Sequence, residues 1–340
     1  MKAKIWVSAL SLVGLFGFSA YKINTTDDRS ELVMRLLMES TKVYHYAPLK
    51  IDDKFSEEVY DLYLKRIDPN KRYLTKGDIE DLNGYKRKLD DEINVSSYKF
   101  FERSEEILSR RVEQIQEFSK EILGSSFDFN KEENIMLKPE EMDYPKDKDE
   151  LKKRCYQILK YQTLQRYSDM LDDQDKALAR KDTAFKQKTE SEMEAEARAK
   201  VLKLQNEGHQ RWLKVTTEER RSVYLNTIVN IYDPHSTYFP PDDKQDFDIR
   251  MSGKLEGIGA TLQEKEGFIK ITSIVPGSPS QRQGDLKEGD AIIKVAQGAG
   301  EPVDIEGWRT NDAIKLIRGK KGTEVRLTVK KPDGSTKVIP

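Results

Sequence analysis

The chain has 340 residues, 35% charged and 36% hydrophobic, with 59 basic against 60 acidic side chains. That length exceeds what a single core usually fills, so two folded units are expected. A formal charge of -1 provides no basic excess to hold phosphates, which argues against a nucleic-acid binder and for a heavily solvated surface.

At the N-terminus, Lys2 and Lys4 precede an apolar run from Ile5 to Ala20. This is the layout of a secretory signal peptide over residues 1–20. The run is shorter than the roughly 20 apolar residues of a spanning helix. Gly17, Ser19 and Ala20 offer a cleavage site, whereas Phe18 disfavours a cut after Ala20 and leaves an uncleaved membrane anchor as the second outcome. A flexible start is expected over 21–28.

From Arg29 to Tyr232 the apolar spacing is helical almost throughout. Leu32, Val33, Leu36, Leu37 and Val43 recur at three- and four-residue steps, as do Phe55, Val59, Leu62 and Tyr63 before Asp68-Pro69 stops the run. Thr75 opens a segment with Ile79, Leu82, Leu89 and Ile93 on one side, and a longer helix carries Phe101, Leu108, Val112, Ile115, Phe118 and Ile122 up to Gly124. Ser125 to Pro145 reads as a long connection. Cys155, the only cysteine, excludes an internal disulfide and reads as a small apolar helix residue rather than a nucleophile.

Between Asp172 and Leu213 the thin stripe Met193, Ala197, Val201, Leu204 and Trp212 predicts a helix whose charges are a solvated face. Thr216 and Glu219 have capping-box spacing before a helix ending at Asp233-Pro234. Asp233, His235 and Ser236 are triad residue types, but such close neighbours cannot converge as base and nucleophile. His235 is therefore a structural hydrogen-bonder, and His45 and His209 lack a second ligand at metal-like spacing. Asp242, Asp243, Asp246 and Asp248 lack the calcium-loop pattern and read as linker charges. Asp169, Asp172, Asp173 and Asp175 invite the same reading; no metal and no cofactor are expected.

After Pro241 the period shortens to alternating segments at Phe268 to Ile274 and Val325 to Val329, separated by Gly, Pro and Asp clusters. Before the strand Thr261-Leu262-Gln263, Leu255-Glu256-Gly257-Ile258-Gly259-Ala260 can turn several N–H groups towards one point and hold a carboxylate. Alone, this is also what many tight turns contain. Downstream come Ile274-Val275-Pro276-Gly277-Ser278-Pro279, then Gly284 to Val295, a helical stretch Trp308 to Ile317, Arg318 to Thr323 and a closing strand.

That succession resembles the PDZ domain of bacterial C-terminal processing proteases. Upstream, Ile231 to Phe239 resembles the Asp-Pro-His-Thr/Ser-x-Tyr segment of the same family. Phe55 to Leu74 and the helix-rich body are similar to the N-terminal domain of its long periplasmic subgroup, the tail-specific proteases. The resemblance implies an α+β multidomain chain: a mostly helical domain over 29–241, a linker over 242–253, and a small PDZ-type β-sandwich or partly open barrel with two helices over 254–340.

It also implies capture of a C-terminal tail by β-augmentation, the carboxylate resting on the Gly257, Ile258, Gly259, Ala260 loop. The last side chain would enter between Ile258 and Leu262 on one side and Ala313, Ile314 and Ile317 on the other, with Leu316 replacing Ile317 if the helix is rotated. Ordinary core packing is the structural alternative for these helix residues, and at least one of the four is expected to be that. Partners implied are tails of envelope or misfolded proteins and a helical lipoprotein adaptor, with no nucleic acid, and with membrane contact only through the N-terminal segment.

The family cuts with a serine nucleophile and a lysine base on a domain after the PDZ. Neither a Ser-Ala-Ser-like nor a Gly-Lys-Gly-like segment occurs before Pro340 in that region. The expectation is the recognition half of a periplasmic serine endopeptidase, inactive alone, as a truncated piece or an incomplete reading frame. The competing class is a non-enzymatic PDZ-containing envelope scaffold or adaptor. A weaker third reading makes the helical body an oligomerisation element.

Overall fold

The computed structural model describes residues 26–181, 185–252, 257–265 and 267–340. The expected signal segment 1–20, the start up to residue 25, and Leu255 and Glu256 of the cradle loop lie outside the described residues. The chain divides into two compact units, the first ending at Tyr238 and the second running from Phe239 to Pro340.

The first unit contains helices α1 (Thr26–Tyr44), α2 (Asp53–Ile67), α3 (Lys76–Asn83), α4 (Leu89–Asn94), α5 (Lys99–Ile122), α6 (Lys148–Ala179), α7 (Glu190–Leu213) and α8 (Thr217–Tyr232). Helix α1 begins at Thr26, inside the stretch expected to be a flexible start. The apolar run expected to continue from Ile79 to Ile93 is broken after Asn83 by hydrogen-bonded turns, Tyr85 N–H to Leu82 O and Lys88 N–H to Tyr85 O. Capping boxes start α3 at Thr75/Asp78, α7 at Thr189/Glu192 and α8 at Thr216/Glu219. Each satisfies two N–H groups that a helix start otherwise leaves orphaned.

Two cores share α5, because its buried side chains follow a three- and four-residue spacing along its whole length. Towards its N-terminus, Phe100, Phe101 and Ile107 join Phe55, Val59, Tyr60, Tyr63, Leu74, Leu82 and Ile228. Tyr224 is fully buried among rings, its centroid 5.2 Å from Tyr63 and 5.9 Å from Phe101. At the other end, Phe118 and Leu123 meet Leu151, Cys155, Leu159 and Val201 of α6 and α7. Of the stripe expected on α7, Met193, Ala197 and Val201 are buried, whereas Leu204 is exposed and Trp212 stacks on the Arg220 guanidinium at 4.1 Å.

Buried acids hold the turns. The Asp68 carboxylate, 1% exposed, accepts from the N–H groups of Arg72, Tyr73 and Leu74 at 2.8, 3.0 and 2.9 Å. Burial nonetheless pushes its pKa up, the three N–H donors opposing. Asp78 accepts from Thr75 and from the Arg111 guanidinium at 2.7 Å. Burial raises its pKa, but these donors outweigh that and hold it below the ordinary carboxylate value.

The second unit contains α9 (Pro241–Ser252), β1 (Ala260–Lys265), β2 (Phe268–Ile274), α10 (Pro279–Gln283), β3 (Ala291–Gln297), β4 (Val303–Asp304), α11 (Thr310–Ile317), β5 (Val325–Lys330) and β6 (Thr336–Ile339). Of the expected linker 242–253, residues 242–252 are helical, within Pro241–Ser252, with Lys244 and Asp248 paired at 2.5 Å one turn apart. The sheet is antiparallel in the order β1-β2-β3-β5-β6, with β4 added to β3. Its core joins Ile269, Ile271, Ile292, Val295, Leu327 and Val329 to Ala313 and Ile317 of α11. β1 is an edge strand, and α11 lies beside it.

Candidate functional site

An edge strand carries unpaired backbone donors and acceptors, so it can take up another strand unless something covers it. At the start of β1 the loop Gly257 to Ala260 is held by its carbonyls. Ile258 O accepts from Ser280 N–H at 3.0 Å, and Gly259 O accepts from Val275 N–H at 2.9 Å. Among the described residues, no hydrogen bond uses the N–H of Ile258 or Gly259. Those donors remain available to a carboxylate, which needs several converging N–H groups.

Gly259 has no alternative residue. Its φ is +74°, and a Cβ there would fall 2.1 Å from the Ser278 Cβ. Ser278 in turn caps α10, its hydroxyl accepting from Gln281 N–H at 3.2 Å, so it is not free to move aside. At Gly257 a Cβ would meet only the Arg318 Cγ, at 4.0 Å. The sequence singled out both glycines but gave no sign that Ser278 fixes the second.

Along β1, Leu262 is half-buried against the core, as are Ile258 and Ala260. Opposite, the four helix residues separate. Ala313 is fully enclosed and offers no surface to a ligand, so it belongs to the core rather than to a pocket wall. Ile317 is 3% exposed yet borders a cavity with Gly257 and Ile258. Leu316 packs partly on the core, and Ile314 is half-buried outside it. The cavity, of about 1010 Å³, has Leu286, Leu327 and Ile339 among its apolar walls and Arg282, Lys320 and Lys321 among its cations. About half of the lining is polar, the Glu324 carboxylate included, and Gly259, Ala260, Leu262, Ile314 and Leu316 do not border it.

Three positioning residues escaped the sequence reading. Besides Ser278, Gln297 on β3 donates from Nε2 to Leu316 O at 2.7 Å and to Arg318 O at 3.0 Å, fixing the end of α11. Thr310, the first residue of α11, accepts through Oγ1 from Glu264 N–H at 3.0 Å. A lone Gln or Thr in a strand or helix carries no pattern that marks such a role.

Other chemistry-bearing residues resolve into structure. The Asp233 carboxylate accepts from Ser236 Oγ at 2.6 Å and from His235 N–H at 2.9 Å, and lies 3.8 Å from His45 Nε2. The acid therefore sits between serine and imidazole, and no base faces the hydroxyl as a triad requires. The Ser236 hydroxyl, followed by the His235 N–H, keeps the Asp233 pKa below its ordinary value. Burial pushes the Cys155 thiol up to about 11, which makes it a poor nucleophile. His209 pairs with Glu113 at 3.0 Å, and among the described residues no three His, Cys, Asp or Glu groups gather as for a metal.

A helical unit followed by a small antiparallel sheet with a Gly-rich loop, an open edge and a flanking helix defines a helical domain joined to a PDZ domain. Residues 247–330 match the PDZ domain family, and residues 37–242 match the tail specific protease N-terminal domain. The chain belongs to the tail-specific protease family. It is 30% identical over 318 residues to the tail-specific protease of Haemophilus influenzae, covering 93% of this chain and 43% of that protein. It is 43% identical over 100 residues to the carboxy-terminal processing protease CtpA of Bacillus subtilis, covering 29% of this chain and 20% of that one. The chain thus spans less than half the length of these relatives. A solved PDZ domain of a carboxy-terminal protease from Vibrio cholerae, in complex with peptide, is 42% identical over 25% of this chain and 89% of its own, with a TM-score of 0.25.

Proposed function

We propose that this chain is the substrate-recognising part of a tail-specific serine endopeptidase, and that it captures apolar C-terminal tails on the β1 edge. The observation that carries the reading is the cradle. Among the described residues, two N–H groups, of Ile258 and Gly259, are left unused at the head of an edge strand and beside a partly apolar cavity. A tail entering antiparallel to β1 would place its carboxylate there and its last side chain against Ile258, Ile317 and Leu316 or Ile314. Arg282, Lys320 and Lys321 border the same cavity, partly offset by Glu324, and add net positive potential to it.

In this reading tails of envelope or misfolded proteins are the substrates, presented to a serine–lysine domain. The N-terminal segment delivers the chain to the periplasm, and the helical domain is where a lipoprotein adaptor would dock. The support for these parts is family membership and the residues quoted from the sequence. Calorimetric titration with a peptide ending in apolar residues, as free acid and as C-terminal amide, tests the capture step. The free acid is expected to bind at least roughly tenfold tighter, since charge-assisted hydrogen bonds are lost in the amide. Equal affinity would remove the carboxylate model.

A further inference from the structure

The far end of the α6–α7 hairpin has no part in tail capture. Among the described residues, no hydrogen bond or ion pair joins positions 171–188 to any element other than α6 and α7. Gln174 closes the base of the connecting loop, accepting from Lys188 N–H at 2.8 Å and donating to Lys188 O at 3.1 Å. The end beyond it is basic and partly apolar. Lys176 and Lys188 are paired, with Asp172 and Glu196 respectively. Arg180, Lys181 and Lys186 are exposed and carry no ion pair among the described residues. In the same stretch Leu178 and Phe185 are 49% and 39% exposed.

Helix stability accounts for only part of this pattern. Cations suit the C-terminus of α6, where Arg180 and Lys181 follow the last turn. Lys186 instead precedes the N-terminus of α7, which disfavours a cation. Lys181 has a φ of +54° at the first position past the helix cap, where glycine would sit without strain. A charge is thus held at the tip against the preference of the backbone. The acids of α6 stand back from it, Asp175 about 7.5 Å and Asp173 about 10 Å from Arg180 along the helix axis. Asp182 lies outside the described residues. We propose that this tip is a docking surface for an anionic membrane, its three free cations meeting phosphate headgroups while Phe185 and Leu178 enter the acyl boundary. A protein partner fits less well, because five side chains cannot cover the roughly 800 Å² per partner of a stable interface, whereas a lipid surface sets no such minimum. The contact belongs to the helical unit and is independent of the β1 cradle.

The test uses the full chain carrying Phe185→Trp, with the parent, whose tryptophans are Trp6, Trp212 and Trp308, as background. Vesicles are phosphatidylcholine alone or with about one-third phosphatidylglycerol. Emission from position 185 is expected to shift to the blue with the anionic vesicles only, and to return at high salt. Because the signal arises at position 185, vesicle binding through residues 1–20 does not produce it. Adding Arg180→Gln, Lys181→Gln and Lys186→Gln should raise the lipid concentration at half-response at least roughly tenfold, since each cation near such a surface is worth about fivefold. Lys181→Gly separates this from folding: it should melt no lower than the parent and still respond more weakly to lipid. No shift, an equal shift with neutral vesicles, or a triple variant that responds like the parent would overturn the inference. A response to polyglutamate in place of vesicles would overturn it in favour of an acidic protein.

Discussion

At the residue scale, the site depends on small groups whose role is steric or directional. Gly259 is the clearest, since a Cβ would stand 2.1 Å from that of Ser278 on a backbone of positive φ. Gly259→Ala should destabilise the second unit by about 2 kcal/mol or more and remove tail binding, measured by thermal melting and titration together. Gly257→Ala should be tolerated, because its nearest neighbour would be the flexible Arg318 side chain at 4.0 Å. Leu262→Glu should weaken an apolar tail roughly tenfold, by placing a charge where the tail's side chain packs, and should also lower the melting temperature, because Leu262 packs partly on the core. In the helical unit, Asp68→Ala should cost about 3 kcal/mol, since three N–H groups lose their acceptor. Urea unfolding followed by circular dichroism measures it.

At the scale of elements, Asp78 at the start of α3 contributes a pH dependence of known sign, opposite to that of buried Asp68 in the preceding turn. Asp78 is held below its ordinary value of 3.8 in the folded chain despite burial, by Arg111 and Thr75. A depressed carboxyl contributes stability above its unfolded pKa and loses it as pH falls through the folded one. The Asp78 contribution should therefore be lost below about pH 4, so the stability difference between the parent and Asp78→Asn, present at neutral pH, should shrink there. Much of this architecture was legible in the chain: the period at Phe55, Val59 and Tyr63, the Thr216/Glu219 box, and the alternation of Phe268 to Ile274, which matches β2 residue for residue. What was not legible has physical causes. Pro241–Ser252 is helical although its charges give no apolar face, and β6 is four residues with one buried side chain, too short for alternation to register. The separation of Ala313 from Ile314 on α11 depends on how the helix is rotated against the sheet, which spacing alone leaves open. Thr310 acts through one hydrogen bond and Gln297 through two, all to backbone that only the folded register brings near.

At the scale of the whole molecule, each unit owns its core: Tyr224 and its aromatic neighbours in one, Ile269, Ile292, Val295 and Val329 in the other. Residues 239–340 expressed alone should therefore fold and bind the same tails with unchanged affinity, as titration of both forms would measure. On the proposed reading, the cradle N–H groups and the β1 edge receive the carboxylate-terminated tail. Backbone amide chemical shifts, recorded while a free-acid peptide ending in apolar residues is added, read that contact directly. The largest changes are predicted at Ile258, Gly259, Ala260 and Leu262, with none of that size for the amidated peptide; changes centred away from this loop and strand, or equal for both peptides, would contradict it.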